Sequence, residues 1–462
     1  MQSFAMHGYC MHCIARLRHF KFPKMSRWRH PLLAFCYEDE KSHSKLLDSD
    51  SDDDRHDKRR KVKLALLIHA AKYHDRGTPY VRERVPWQSG ILYPLLNEGR
   101  FSKDHRMDRK SFEKLLGLLG SAIMVHAQKS SNRSGVSPTS PEAVLHCTLR
   151  YLAGGSHADI RKTVGVSTAT FYRLKDMGIE AINACDALDF CFPMTDQELK
   201  LEAACFNAKS TDRFMAGCIG CIDGWLCPIR APSQREAGNV NAFFSGHYQC
   251  YGLNVQAVCD HRCRFTYAAI ANPGSSSDLR AYDKCALKRI VDGLPIGYFI
   301  AGDNAYPLSE HLLTPFSGNQ TLIKENDTFN FLLSQLRIKI EQSFGIMVGR
   351  WQILKRPLQL KLSNVPPLVH ACMRLHNFII NENDTFVVTI KQDQNTYGSR
   401  CVNSNGYPET VLEDTPWVTE ELEQCANVPG NSTLRNLLVQ FVKDRGLERP
   451  KHNQERNCMR KT

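Results

Sequence analysis

Four acidic residues stand out for their settings: Asp223 in CIDG, Asp278 in PGSSSD, Asp303 in GDNAYPL and Glu341 in RIKIEQSFG. Carboxylates gathered in one place disfavour each other's charge, so a cluster of them argues for a cation. Mg²⁺ (or Mn²⁺) takes oxygen ligands and keeps positions open for water and phosphate. Two such ions side by side activate a water and stabilise the leaving oxygen in phosphodiester cleavage. Each acid also has a plainer reading. Asp278 suits a helix N-terminus through the macrodipole. Glu341 can pair with Arg337, one turn earlier, for a few tenths of a kcal/mol. Asp223 and Asp303 suit turns before Gly224 and Asn304. Four acids in register favour the chemistry.

The stretch GCIGCIDGW, Gly217 to Trp225, also holds Cys218 and Cys221, spaced like half a zinc site. If Phe214 to Asp223 is a strand, positions three apart point to opposite faces, so the two thiols cannot share one ion. Zinc would need a knuckle at Gly220 and a second pair, for which Cys259 and Cys263 are the near candidates. On this reading the stretch delivers a carboxylate.

These acids need elements to place them. GLNVQAVCD (Gly252 to Asp260) alternates as a half-buried strand, and RFTYAAIAN (Arg264 to Asn272) follows as its neighbour. Pro273-Gly274 and three serines open a helix with Leu279, Tyr282, Ala286 and Ile290 on one face. YFIAGD, Tyr298 to Asp303, is a strand ending in an acid. FLLSQLRIKIEQSFGIMVGRW gives a helical stripe of Leu332, Leu336, Ile340, Phe344 and Met347. The order is that of a mixed α/β core, with Asp223 and Asp303 expected at strand ends, where such sheets gather their sites.

Upstream, from Val62 to about Ala184, the pattern is helical. Phe112, Leu115, Leu116 and Leu119 share a face, and Pro141-Glu142 opens a helix running to Leu152. GGSHADIRKTVGVSTATFYRLKD then reads as a helix, a turn at Gly165-Val166-Ser167, and a second helix capped by Ser167 or Thr168. As a helix-turn-helix it would turn Thr168, Ala169, Tyr172 and Arg173 toward a DNA groove; an ordinary helical hairpin is the plainer reading.

The chain of 462 residues suffices for two or three domains, and its net charge of +12 suits a polyanion. No apolar run reaches bilayer length, no secretory signal opens the chain, and no membrane association is expected. The 18 cysteines are scattered, which reads as reduced thiols. Residues 1–63 read as a disordered segment whose DSDSDDD run, Asp48 to Asp54, cannot bury itself. The following DKRRKVK reads as a nuclear import signal or as a solvated linker. Cys10 and Cys13 resemble half a metal knuckle with no partner pair, and Met25 is a second candidate start. Residues 381–462 read as a polar tail with one amphipathic helix, carrying Leu434, Leu437, Leu438 and Phe441.

Taken in order, CIDG, NVQAVCD, PGSSSD, GDNAYPL, LLTPF, RIKIEQSFGIMVGRWQIL and ACMRLHNFI resemble the Harbinger (PIF) transposases and their domesticated nuclease relatives. HRMDRKSF and GVSTATFYR fit the helical portion, so the resemblance covers roughly Phe101 to Ile380. It implies a ribonuclease H-like DDE endonuclease core over residues 210–380, preceded by a helix-turn-helix region over 64–185. By motif it places the metal-binding catalytic acids on Asp223, Asp303 and Glu341, with Asp278 as an additional ligand. The activity implied is Mg²⁺- or Mn²⁺-dependent cleavage at element ends, releasing a 3′-hydroxyl that then attacks target DNA. It further implies double-stranded DNA and a Myb/SANT-like DNA-binding protein as partners; a homo-oligomer, and a nuclear or also cytoplasmic location in line with the basic cluster, are separate expectations. Arg337, Arg350 and Lys355 are candidate phosphate contacts. Trp225-Leu226 and FFSGHY (Phe243 to Tyr248) depart from the family pattern beside the first acid. The rival expectation is a domesticated DNA-binding or regulatory protein that keeps the fold without turnover. A zinc-stabilised interaction module is a third.

Overall fold

The computed structural model describes residues 83–127, 130, 137–383 and 432–450. The acidic run, the basic cluster, Cys10, Cys13 and Met25 lie outside the described residues.

Between Trp87 and Lys209 the described elements are helical. After short turns of helix come α1 (Arg109–Leu119), α2 (Pro141–Leu152), α3 (His157–Val164), α4 (Thr168–Ala184) and α5 (Asp196–Lys209). Their starts are set by side-chain caps that satisfy otherwise orphaned N–H groups: Asp108 on Ser111, Ser140 on Ala143, Ser156 on Ala158 and Ser167 on Thr170. Between α3 and α4 the chain turns at Gly165, φ 71°, whose carbonyl accepts from Arg84 Nη1 at 2.6 Å. An added Cβ at Gly165 would lie 2.0 Å from the Glu83 carbonyl oxygen, so both the backbone angle and the close approach require glycine.

The core is a mixed sheet of β1 (Cys218–Pro228), β2 (Phe244–Ser245), β3 (Cys250–Cys259), β4 (Phe265–Pro273), β5 (Phe299–Ala301) and β6 (Leu312–Leu313). β1, β3 and β4 are neighbours in antiparallel register, with β2 pairing to the start of β3. β5 runs parallel to β1 on its other edge, and β6 runs parallel to β5. Two short helices, α6 (Asp278–Lys284) and α7 (Leu287–Asp292), connect β4 to β5; α8 (Lys324–Arg350) and α9 (Val365–Asn381) complete the core. The central strand is apolar on both sides, as a strand covered on both faces must be. Ile219 and Ile222 pack with Leu199 and Ala203 of α5 and with Tyr282 and Leu287. On the other side Cys221 and Cys227 join Leu336, Ile340, Phe344 and Met347 of α8. The mixed core with flanking helices is as expected, and it is consistent with a ribonuclease H-like arrangement.

Three details of the sequence reading change. Asp223 is not at a strand end: β1 runs on to Pro228, paired with β3 as far as Gly252, while its parallel neighbour β5 stops at Ala301. Cys218 and Cys221 lie on the same side of the sheet. A register irregularity between Cys218 and Gly220 breaks the alternation, so both thiols enter one core cluster with Cys259. The segment after PGSSSD is two helices broken near Cys285, so Leu279 is exposed while Tyr282, Leu287 and Val291 are buried.

The last described helix, α10 (Thr433–Asp444), packs on the first half of α8. Ser432 caps its start, accepting from Arg435 N, and buried Glu310 adds to the cap by accepting from Thr433 N, Leu434 N and Ser432 Oγ. Leu434, Leu438 and Val442 are its buried face, and Arg449 pairs with Asp327 at 2.9 Å.

Candidate active site

The parallel pair Cys221↔Ala301 sets the position of two acids. Asp223 and Asp303 each follow that pair by two residues, so the register carries them past the end of β5 side by side. Asp223 is on the same strand face as Cys221 and Trp225, and that face is covered by α8. Its Oδ1 accepts from Gly224 N at 2.8 Å. Burial lifts its pKa to about 6; Gly224 N–H and Arg337 oppose the rise, and Asp303 and Asp278 add to it. Asp303 turns back to accept from Ala305 N at 2.9 Å.

Asp278 arrives from the opposite side of the sheet. It is the first residue of α6, whose cap is Ser277. Its Oδ1 accepts from Asn254 Nδ2 at 3.0 Å and from Gln256 Nε2 at 2.8 Å. Gln256 is fully buried, and its own oxygen accepts from Tyr306 OH at 2.6 Å. Tyr306 is itself buried, and burial followed by Asp278, Asp223 and Asp303 pushes its hydroxyl well above the ordinary pKa. The phenol therefore stays a donor, which fixes Gln256 with its NH₂ toward Asp278.

Glu341 is supplied by α8, on the turn after Arg337 and next to the buried stripe of Leu336, Ile340 and Phe344. Its side chain is 52% exposed, so its motion is not limited by packing. The Arg337 guanidinium spans two of the acids, 3.0 Å from Glu341 and 3.5 Å from Asp223. Trp225 stacks on Phe344 at 5.8 Å, which ties the strand beyond Asp223 to the helix that carries Glu341. Exposed Tyr248 stands near enough for Asp278 and Asp223 to raise its pKa, after burial as the larger cause.

The donor set suits a hard divalent cation. It offers oxygen only, and Asp303 and Asp278 add to the raised proton affinity of Asp223, which a cation would reverse. The closest group of three metal-type donors among the described residues is elsewhere: Glu202, Asp260 and His261, within 4.8 Å. That group braces the β3–β4 turn. Glu202 accepts from His261 N and bonds its ring, while Asp260 accepts from Arg262 N, Arg264 N and Arg264 Nε. The cysteine stretch gives no such set. Burial, then the neighbouring thiols Cys218 and Cys259, hold Cys221 far above the ordinary thiol pKa, and its Sγ donates to the Leu336 carbonyl at 3.3 Å. A buried thiol kept protonated is a poor zinc ligand.

Of the residues read as DNA contacts, Thr168, Tyr172 and Arg173 are exposed at the start of α4. The other end of that helix is anchored by buried Ile179 and Ile182 and packs on α9. Arg337 faces the acids rather than open solvent. Arg350 is a correction: it is 6% exposed and donates to the Arg106 carbonyl at 2.6 Å, tying α8 to the helical region. Its position one residue before buried Trp351 was the available signal. The Asn254–Gln256–Tyr306 support for Asp278 was not foreseen, although alternation of NVQ places both amides on one face of the strand.

Residues 222–377 match the family described as DDE superfamily endonuclease. The chain is 23% identical over 300 residues to "Protein ALP1-like" of Arabidopsis thaliana, covering 62% of this chain and 71% of that protein. No solved structure matches the chain. The core expected from the motifs is thus similar, over residues 222–377, to the DDE superfamily endonuclease domain.

Proposed function

We propose, from the premise that residues 222–377 are a DDE superfamily endonuclease domain, that this chain is a metal-dependent endonuclease of the transposase type acting on double-stranded DNA. The observation that carries the reading is the side-by-side placement of Asp223 and Asp303 past the end of β5, with Asp278 beside them and Glu341 across on α8. Asp223, Asp303 and Glu341 are the residues that would hold Mg²⁺ or Mn²⁺, with Asp278 steadying one ion. A divalent cation there supplies Lewis acidity at a phosphoryl oxygen and makes water a nucleophile near neutral pH. The chain's own part is positional: Asn254 and Gln256 aim Asp278, Gly224 N–H orients Asp223, and the packing of α8 sets the reach of Glu341.

The reaction we assign is phosphodiester cleavage leaving a 3′-hydroxyl, followed by attack of that hydroxyl on target DNA. The α3–α4 pair, a helix-turn-helix with Thr168, Tyr172 and Arg173 exposed, is our candidate for DNA contact. A Myb/SANT-like partner, self-association and a nuclear location belong to the same reading.

A second reading is favoured by Arg337, which already pairs with both Asp223 and Glu341. In it the protein keeps the fold as a DNA-binding or regulatory factor without turnover. One experiment separates the two: Mn²⁺-dependent nicking of a DNA duplex by wild type and by Asp303→Asn. Nicking abolished in the variant supports the endonuclease; equal binding without nicking in both supports the regulatory protein.

A further inference from the structure

The Arg337 guanidinium lies between two acids that the reading above assigns to cation binding, 3.5 Å from Asp223 and 3.0 Å from Glu341. Its side chain is 23% exposed, against 19% for Asp223, so it sits at the mouth of the site rather than in the core. Part of the Glu341 contact is local, since the two residues are one helical turn apart. The Asp223 contact is not local. It joins α8 to β1 across 114 residues (337 − 223), so α8 is docked with this guanidinium aimed at the strand acid.

A guanidinium cannot lose its charge in a protein. It therefore cannot share the space between the two carboxylates with a divalent cation without strong like-charge repulsion. We propose that Arg337 is a built-in counter-cation that holds Asp223 and Glu341 in a cation-poor resting arrangement and must swing aside when a divalent ion is loaded. The inference rests on the endonuclease reading and deepens it, because it sets how that site is loaded. The Arg337 side chain is 23% exposed and its partner Glu341 52%, so the outward route of the guanidinium runs past Glu341 and leaves the buried stripe of α8 in place. The released guanidinium then stands at the site mouth, where a planar donor fork suits a DNA phosphate.

A residue that merely braces the site and one that competes with a cation give opposite results when removed. The test uses the full chain, free of DNA, titrated with Mn²⁺ and read by the electron paramagnetic resonance of the free ion. Wild type, Arg337→Gln, Arg337→Lys and Asp223→Asn are compared, with thermal melting as a check on folding. Competition predicts binding at least tenfold tighter in Arg337→Gln, near wild-type affinity in Arg337→Lys, and loss of that binding in Asp223→Asn. Unchanged or weaker Mn²⁺ binding in a folded Arg337→Gln overturns the proposal while leaving the endonuclease reading intact. Mn²⁺ binding indifferent to Asp223→Asn, in wild type and in Arg337→Gln alike, overturns both.

The hand-over to phosphate is read separately, from the salt dependence of binding to a random-sequence duplex. With Ca²⁺ present, Arg337→Gln is expected to lower the slope of log K against log salt by about 0.9, the value of one phosphate contact. With EDTA the slopes should coincide. Equal slopes in Ca²⁺ overturn the hand-over.

Discussion

The carboxylate of Asp278 occupies the space in which a side chain on residue 224 would begin. A Cβ added to Gly224 would lie 2.0 Å from Asp278 Oδ1 and 2.8 Å from Gln256 Nε2. Glycine after the strand acid is therefore a steric condition for bringing an acid from α6 against β1.

Gly224→Ala should displace Asp278 or the strand. Overpacking of this kind costs about 1–3 kcal/mol, and the expected result is a lowered melting temperature with nicking reduced at least tenfold. A variant with wild-type melting and wild-type activity would show that the close approach is dispensable.

Tyr306→Phe removes the donor that fixes the Gln256 amide. The expected stability loss is about 1 kcal/mol, measured by urea denaturation, with a fall in the apparent affinity for Mn²⁺. Gln256→Leu should cost more, because the Tyr306 hydroxyl and Asp278 both lose a partner in a buried setting. If Gln256→Leu is the milder change, the relay does not position Asp278.

Stability should fall as pH drops from 6.5 toward 4. His105 and His146 meet at 2.8 Å inside the helical region. Burial lowers the pKa of His105 to about 4, with Arg150 adding and its bond to the Phe101 carbonyl opposing. His146 is held well below 6.5 by burial, then by His105 and Arg150. A histidine whose folded pKa is depressed binds its proton in the unfolded chain first. Its contribution is thus complete above about pH 6.5 and is lost on acidification toward the folded value. Each group contributes up to about 1.4 kcal/mol per pH unit in that window. Asp223, with its pKa raised to about 6, opposes the trend as a single group. A His105→Leu/His146→Leu double variant should show a flatter melting profile between pH 4.5 and 6.5; an unchanged profile would assign the acid sensitivity elsewhere.

The buried thiols should be inert. Cys218, Cys221, Cys259 and Cys372 are fully buried, whereas Cys191 is exposed. Alkylation mapped by mass spectrometry should label Cys191 in the native protein and the other four after unfolding. Rapid native labelling of Cys221, or stoichiometric zinc lost on its replacement by Ser, would restore a metal role for the cysteine stretch.

Glu310→Ala should free α10. The carboxylate caps that helix across 123 residues of chain, accepting from Thr433 N and Leu434 N. Losing a cap costs about 1–2 kcal/mol, and faster hydrogen exchange over residues 433–444 should accompany it. Exchange as slow as in wild type would mean that Leu434, Leu438 and Val442 suffice to hold the helix.

Much of this was legible because it is local. The stripe Leu332, Leu336, Ile340, Phe344 and Met347 is buried as its periodicity requires. The cap at Ser167 and the helix start at Pro141 fall where the polar residues precede apolar periods. What escaped depends on contacts between distant elements. The irregularity that brings Cys218 beside Cys221 follows from pairing with β5, some 80 residues later. The apolar run from Phe214 places Asp223 at a strand end, yet pairing with β3 carries the strand on to Pro228. Arg350 was read as surface because charge alone does not reveal the Arg106 carbonyl waiting for it.

The docking of α10 on the first half of α8 has a consequence for biogenesis. Domains emerge from the ribosome N-terminus first, at about 5–20 residues per second. The helix that bears Glu341 is therefore exposed on the side that Leu434 and Leu438 later cover until translation has passed residue 444. A nascent chain stalled, or cut, between residues 383 and 432 would already hold all four acids while α8 lacked its outer support. Newly made protein would thus acquire a settled acid site late, after the exposed start of α4 has had hundreds of residues' worth of time to fold.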